Sequence, residues 1–217
     1  MGALMTDRQR PLIESLAAEL SPVPWWRRPV WVTVLWLLVA LAFAITSTLL
    51  HEPWRVGWQT QLLTTPVVAL EIGVAGLGFV VLGWLALQAS LPAGRSLLFL
   101  FGGALLCWLP WLMLLWIGHE HPALAPSMAG KRETCYLEVM VLSQPITLLG
   151  LLLARQLYLL RGWLAGALIG LASGMLVALL MQLACMYLIE HALHQHVAPV
   201  FVPTLTGLFG GYLFQQR

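Results

Sequence analysis

Six stretches of this chain are too long and too apolar for water to be their solvent. They fall near 30–50, 61–89, 96–117, 135–154, 162–188 and 197–214, and a helix needs about 20 apolar residues to cross a bilayer. Inside hydrocarbon every backbone N–H and C=O must be satisfied within the chain, which favours helix. The expected fold is therefore all-α, a polytopic transmembrane helical bundle of about six spans. Composition excludes the soluble alternative. Hydrophobic residues make up 60% of the chain and charged residues 9%, against about 25% charged in soluble domains. The connections are short and carry turn residues, as in Ser90-Leu91-Pro92-Ala93-Gly94-Arg95. Residues 1–24 are expected as a separate cytoplasmic head and 25–217 as the membrane domain. The polar, Pro-broken head does not read as a cleavable signal peptide.

Basic residues give the expected orientation. With the N-terminus inside, Arg8, Arg10, Arg27, Arg28, Arg95, Arg155, Arg161 and Arg217 are cytoplasmic, whereas Arg55, Lys131 and Arg132 lie outside. Eight against three is the bias of a cytoplasmic N-terminus, and an even number of spans returns the C-terminus to the same side. Trp25 and Trp26 beside Arg27 and Arg28 read as an interfacial anchor. A formal charge of +2 carries no nucleic-acid footprint, and no direct nucleic-acid binding is expected.

Within the head, residues 6–20 have the pattern of a short amphipathic helix. Leu12, Ile13, Leu16 and Leu20 fall on one face, with Glu14, Ser15 and Glu19 away from it. Ser21-Pro22-Val23-Pro24 ends it. A helix this short is marginal alone, so its apolar stripe needs a partner, either another protein or the membrane surface. Gly162, Gly166, Gly170 and Gly174 recur every four residues in the fifth run, a row that lets a second helix approach closely.

Polar chemistry is sparse and one-sided. All six histidines, His51, His119, His121, His191, His194 and His196, fall on the expected outer side. His191 and His194 would share a face if helix continues there. Cys135 and Cys185 lie at that same surface, whereas Cys107 falls mid-span. Thiols and imidazoles together suit transition-metal or oxidant sensing. His119, His121, His191, His194 and His196 are the candidate metal ligands, with a transition-metal ion expected as a signal and no resident cofactor required. The bland alternative is that the histidines are ordinary loop residues and the cysteines small hydrophobes. Glu71, inside the second run, is either a functional intramembrane carboxylate or, if the span starts nearer Pro66, a residue close to the interface.

Several of these elements resemble, in their order, the NrsF-type anti-sigma factors, a bacterial family with six spans. Leu12-Ile13-Glu14-Ser15-Leu16-Ala17-Ala18-Glu19-Leu20-Ser21-Pro22-Val23 is similar to that family's short head. Leu70-Glu71, the Pro92-Ala93-Gly94-Arg95 turn, Cys135 followed by Ser143-Gln144-Pro145, and a glycine-rich fifth span ending near Cys185 follow in the same sequence. Ala93 interrupts the family's Pro-Gly-Arg, Met186-Tyr187 replaces a common Pro-Glu, and the 191–196 stretch is richer in histidine. The resemblance implies a bacterial inner-membrane protein whose head binds an extracytoplasmic-function sigma factor. A metal or oxidative stress read by Cys135 and Cys185, whether as a disulfide or through shared ligation, would then release it.

Two other classes compete. Gly170-Leu171-Ala172-Ser173-Gly174 is one residue out of step with the rhomboid protease Gly-x-Ser-Gly pattern, and no catalytic role is expected. A small transporter or metal permease would need a polar path through the bundle, for which Glu71, Gln182 and Cys107 are the candidates.

Overall fold

A computed structural model describes residues 28–91, 96–120, 132, 134–157, 160–185 and 188–216, together with Pro11, Glu14 and Ser15. The head face of Leu12, Ile13, Leu16 and Leu20 lies outside the described residues, as does His121. Among the described residues all regular structure is helical. The elements are α1 Pro29–His51, α2 Trp58–Thr64, α3 Pro66–Ser90, α4 Leu97–Glu120, α5 Cys135–Arg155, α6 Gly162–Ala184 and α7 Ile189–Gln215. All but α2 are long and apolar enough to cross a membrane.

Two boundaries differ from the apolar runs. The second run divides at Thr65-Pro66, because proline starts a helix readily but cannot continue one. The span thus begins at Pro66, and Glu71 sits about 7–8 Å inside its start at 1.5 Å per residue. Its side chain is nonetheless buried, at 1% exposure. The fifth run breaks at Cys185, whose backbone is extended, and the last span begins again at Ile189 rather than near 197.

At the centre of the bundle runs α6, with 89% of its membrane-length window buried. Around it pack α1, α3, α5 and α7, while α4 lies outside against α3. Close approach to α7 depends on glycine. A Cβ on Gly166 would stand 2.0 Å from the Gly207 carbonyl oxygen, and one on Gly170 2.0 Å from that of Pro203. In return, a Cβ on Gly211 would meet the Gly162 carbonyl at 2.0 Å. The two helices therefore touch backbone to backbone along a seam that Gly162, Gly166 and Gly170 share with Gly207 and Gly211. Gly174 continues it against Val200 and Pro203 side chains. On another face, Trp36 of α1 reaches between α3 and α5, where Gly83 and Gly150 leave room for its ring. Its indole N–H donates to the Ile146 carbonyl at 3.0 Å, which satisfies the polar end of a buried tryptophan.

Cys107 is buried and faces Gly78 of α3, packed as a small apolar side chain. Ser173 donates its hydroxyl to the Ile169 carbonyl of its own helix at 2.7 Å. At one end of the bundle Leu160 lies near Ser90, and Gln215 bonds to Gly162 and Leu160. The thiols Cys135 and Cys185 gather at the other end with Arg132, Glu138, His191 and His196.

Candidate functional site: a thiol–imidazole cluster braced by a buried arginine

Cys185 forms the cap of α6, Cys135 opens α5, and His191 and His196 lie in the first turns of α7. One ligand atom from each of these four side chains lies within 4.8 Å of all the others. The Cys185 sulfur is 3.2 Å from His191 Nε2. The His191 and His196 rings meet edge to face with centroids 5.1 Å apart. All three cysteines are free thiols, and Cys135 and Cys185 are fully buried.

Local backbone explains which histidines meet. α7 starts as one α-turn, Ile189–His191, widens to a π-turn over Ala192–Val197, tightens to a 3-10 turn over Ala198–Val200, and then runs as α-helix. Pro199 has no N–H to donate to residue 195, and its ring crowds that carbonyl, which favours a widened turn ahead of it. In the wider turn His196 comes round to His191. The expected partner, His194, instead turns outward and pairs with the Glu190 carbonyl at 2.8 Å. The i, i+3 expectation assumed α-helical pitch, and the π-turn overrides it. His119 is the penultimate residue of α4, and nothing further is described of its side chain.

His196 carries the clearest chemical signal. It is 0% exposed, and neither ring nitrogen bonds to an oxygen or nitrogen atom among the described residues; the polar group it meets is the Cys185 sulfur. A buried polar group left in that state costs about 1–3 kcal/mol, so it persists where another role requires it. The acidity of Cys185 is raised. The Cys135 thiol, donating toward it, holds Cys185 well below the usual thiol range, and His196 and the Arg132 backbone N–H at 3.4 Å add to this against the opposing effect of burial. Thiolate is the form that binds metals and attacks oxidants.

Arg132 braces the cluster from the loop before α5. It is only 3% exposed. Its guanidinium donates to Glu138 Oε2 at 2.8 Å and to the carbonyls of Thr48, Glu52 and Pro53, at the C-terminal end of α1. The Thr48 carbonyl also accepts from the Glu52 N–H at 3.4 Å, whereas those of Glu52 and Pro53 lie past the last turn, because α1 stops ahead of Pro53 with Glu52 extended, as favoured before proline. A cation there also suits the helix dipole. The backbone of Arg132 faces the other way. Its N–H points to Cys185 Sγ, and its carbonyl lies 3.6 Å from the Cys135 sulfur, an alternative acceptor for that thiol. Beside it, His51 of α1 lies 3.8 Å from Glu138 Oε1, lining a pocket of about 480 Å³ between α1 and α5.

Sequence reasoning treated Arg132 only as a marker of orientation and did not single out Glu138. A basic residue just before a span whose first turn carries a carboxylate is the signal that was available. Glu71 and the glycines of α6 lie outside this cluster.

These features define a helical bundle with spans of membrane length and a buried sulfur–nitrogen donor set at one end. The family described as NrsF, negative regulator of sigma F, matches residues 16–214, and the chain belongs to that family of sigma-factor regulators. No curated protein and no solved structure matches the chain.

Proposed function

We propose that this chain is a membrane-embedded anti-sigma factor that holds an extracytoplasmic-function sigma factor on residues 1–24 and releases it when the Cys135–Cys185 end meets a metal or an oxidant. In this reading the chain sits in the bacterial inner membrane with both termini in the cytoplasm. Leu12, Ile13, Leu16 and Leu20 form the sigma-binding face, in the manner of an amphipathic helix laid into a groove.

The observation that supports it most is the position of Arg132. One residue ties the thiols to the C-terminal end of α1, and the N-terminal end of α1 leads directly to the head. Modification or ligation of Cys185 removes the acceptor of the Arg132 N–H. The loop then shifts, and the guanidinium that caps α1 shifts with it. α1 is the element whose two positions the signal biases, which is what a switch requires. The glycine seam leaves α6 and α7 as the fixed frame for that motion.

The test is recovery of partners from gently solubilised native membranes, with the full chain and with residues 1–24 deleted, read by mass spectrometry. The reading predicts a sigma factor with the full chain alone. A sigma factor recovered equally without the head moves the binding site elsewhere, and none recovered with either form overturns the function. Metal uptake into vesicles would then test the permease alternative.

A further inference from the structure

We propose that Cys135, Cys185, His191 and His196 together form a closed tetrahedral site for one borderline-soft divalent cation of the Zn²⁺ and Cd²⁺ class. Its role as the trigger deepens the reading above; binding itself does not depend on that reading.

Geometry fits first. Metal–sulfur bonds of about 2.3 Å and metal–nitrogen bonds of about 2.0–2.1 Å set donor separations of roughly 3.3–3.8 Å in a tetrahedron. The four donors already lie within 4.8 Å of one another, and Cys185 Sγ and His191 Nε2 stand 3.2 Å apart. A contraction of roughly 1 Å closes the set around an ion.

The orphaned imidazole is a second, independent sign. A fully buried His196 that bonds to no oxygen or nitrogen atom among the described residues, and faces the Cys185 sulfur instead, is costly as a core residue and apt as a ligand. Its neighbours within the cluster are two sulfurs and a second imidazole, all donors to the same kind of ion.

Charge and softness select the ion. Two thiolates and a divalent cation sum to zero, so a closed site adds no net charge to a buried position. A monovalent ion would leave one negative charge there. Sulfur and imidazole donors disfavour Mg²⁺ and Ca²⁺, which take oxygen ligands, and a tetrahedral S₂N₂ set is diagnostic of Zn²⁺-like ions. Four protein ligands also leave no open position for a substrate or activated water, so the site senses or braces rather than catalyses.

Reduced, chelator-stripped full-length protein in detergent is titrated with Co²⁺ as a spectroscopic probe and then with Zn²⁺. The expected result is one Co²⁺ per chain, with the intense visible bands of a tetrahedral ion and thiolate-to-cobalt charge transfer, both lost on adding Zn²⁺. His196→Gln and His191→Gln should each weaken Zn²⁺ binding by more than about tenfold, since even outer-shell losses cost 10–100-fold. His194→Gln should leave it unchanged. His191, which is only partly buried, carries the test if His196→Gln does not fold. Substoichiometric binding, the weak spectrum of an octahedral ion, or wild-type affinity in the histidine variants overturns the site. Sigma-factor retention is followed in parallel. Metal bound with the sigma factor retained leaves the site standing and removes its role as trigger. Release undiminished in histidine variants whose Zn²⁺ binding is weakened removes the site's role as trigger and leaves thiol sensing intact.

Discussion

The helical hairpin of α6 and α7 has two halves built on opposite principles. From Gly162 to Gly174 it is a seam in which backbones touch, and each small residue faces backbone or apolar side chains of the other helix. From Gln182 to His196 regular α-helix gives way in both. α6 gives way to an extended Cys185, α7 passes through π and 3-10 turns, and buried polar groups go without oxygen or nitrogen partners among the described residues, namely the Gln182 amide and the His196 ring. The first half keeps its close packing at the expense of any polar chemistry. The second half keeps reactive groups and gives up regular helix and hydrogen bonds to hold them. A sensor needs both, because a local change at one end moves a neighbour only if the other end stays fixed.

Breaking the seam should have the largest effect. In Gly166→Leu the side chain starts where the Gly207 carbonyl already stands, so the helices must separate along their length. We expect the folded bundle to be lost outright, a cost beyond the roughly 1–3 kcal/mol of ordinary overpacking because the obstacle is backbone, seen as loss of the cooperative helical melt in detergent. A variant melting within a few degrees of wild type would show that the seam is slack.

Arg132→Met comes next, since it leaves Glu138, 6% exposed, without its buried cation. The expected loss is about 3–5 kcal/mol, and adding Glu138→Leu should restore part of it. Additive losses in the double variant would mean that the two charges do not act as a pair.

His196→Leu should run the other way. In chelator-treated protein it removes an unsatisfied buried imidazole, and the melting midpoint should rise by the equivalent of about 1–3 kcal/mol while the response to metal is lost. A lower midpoint would show that His196 has a bonded role in the resting state. Smallest of all, Gly76→Ala adds a methyl group where no atom lies within 4 Å of the new Cβ, and should stabilise α3 by about 0.5–1 kcal/mol.

The bundle was largely legible in the sequence because hydrocarbon thickness is a length, and a length can be counted along apolar residues. The four-residue glycine period was legible for the same reason, as a direct consequence of helical pitch. What escaped depended on local departures from that pitch or on distant contacts. The Thr65-Pro66 break is hidden inside a continuous apolar run. The meeting of His191 with His196 follows from a π-turn that no i, i+3 rule anticipates. Arg132 gained its importance from α1 carbonyls some eighty positions earlier in the chain, which no local pattern reveals. Of the site, the two thiols and the histidine stretch 191–196 were named from the sequence, the pairing of the thiols came from resemblance, and the arginine was read only as a topological charge.

The central claim is that the thiol cluster controls what the head holds. The most direct measurement takes the complex of full chain and sigma factor in detergent, adds Cd²⁺ or a mild oxidant, and follows free sigma factor over time for wild type and for Cys135→Ser combined with Cys185→Ser. The account predicts prompt release from the wild type and retention by the double variant, with helical content unchanged. Equal release from both would contradict it and place the sensor outside this cluster.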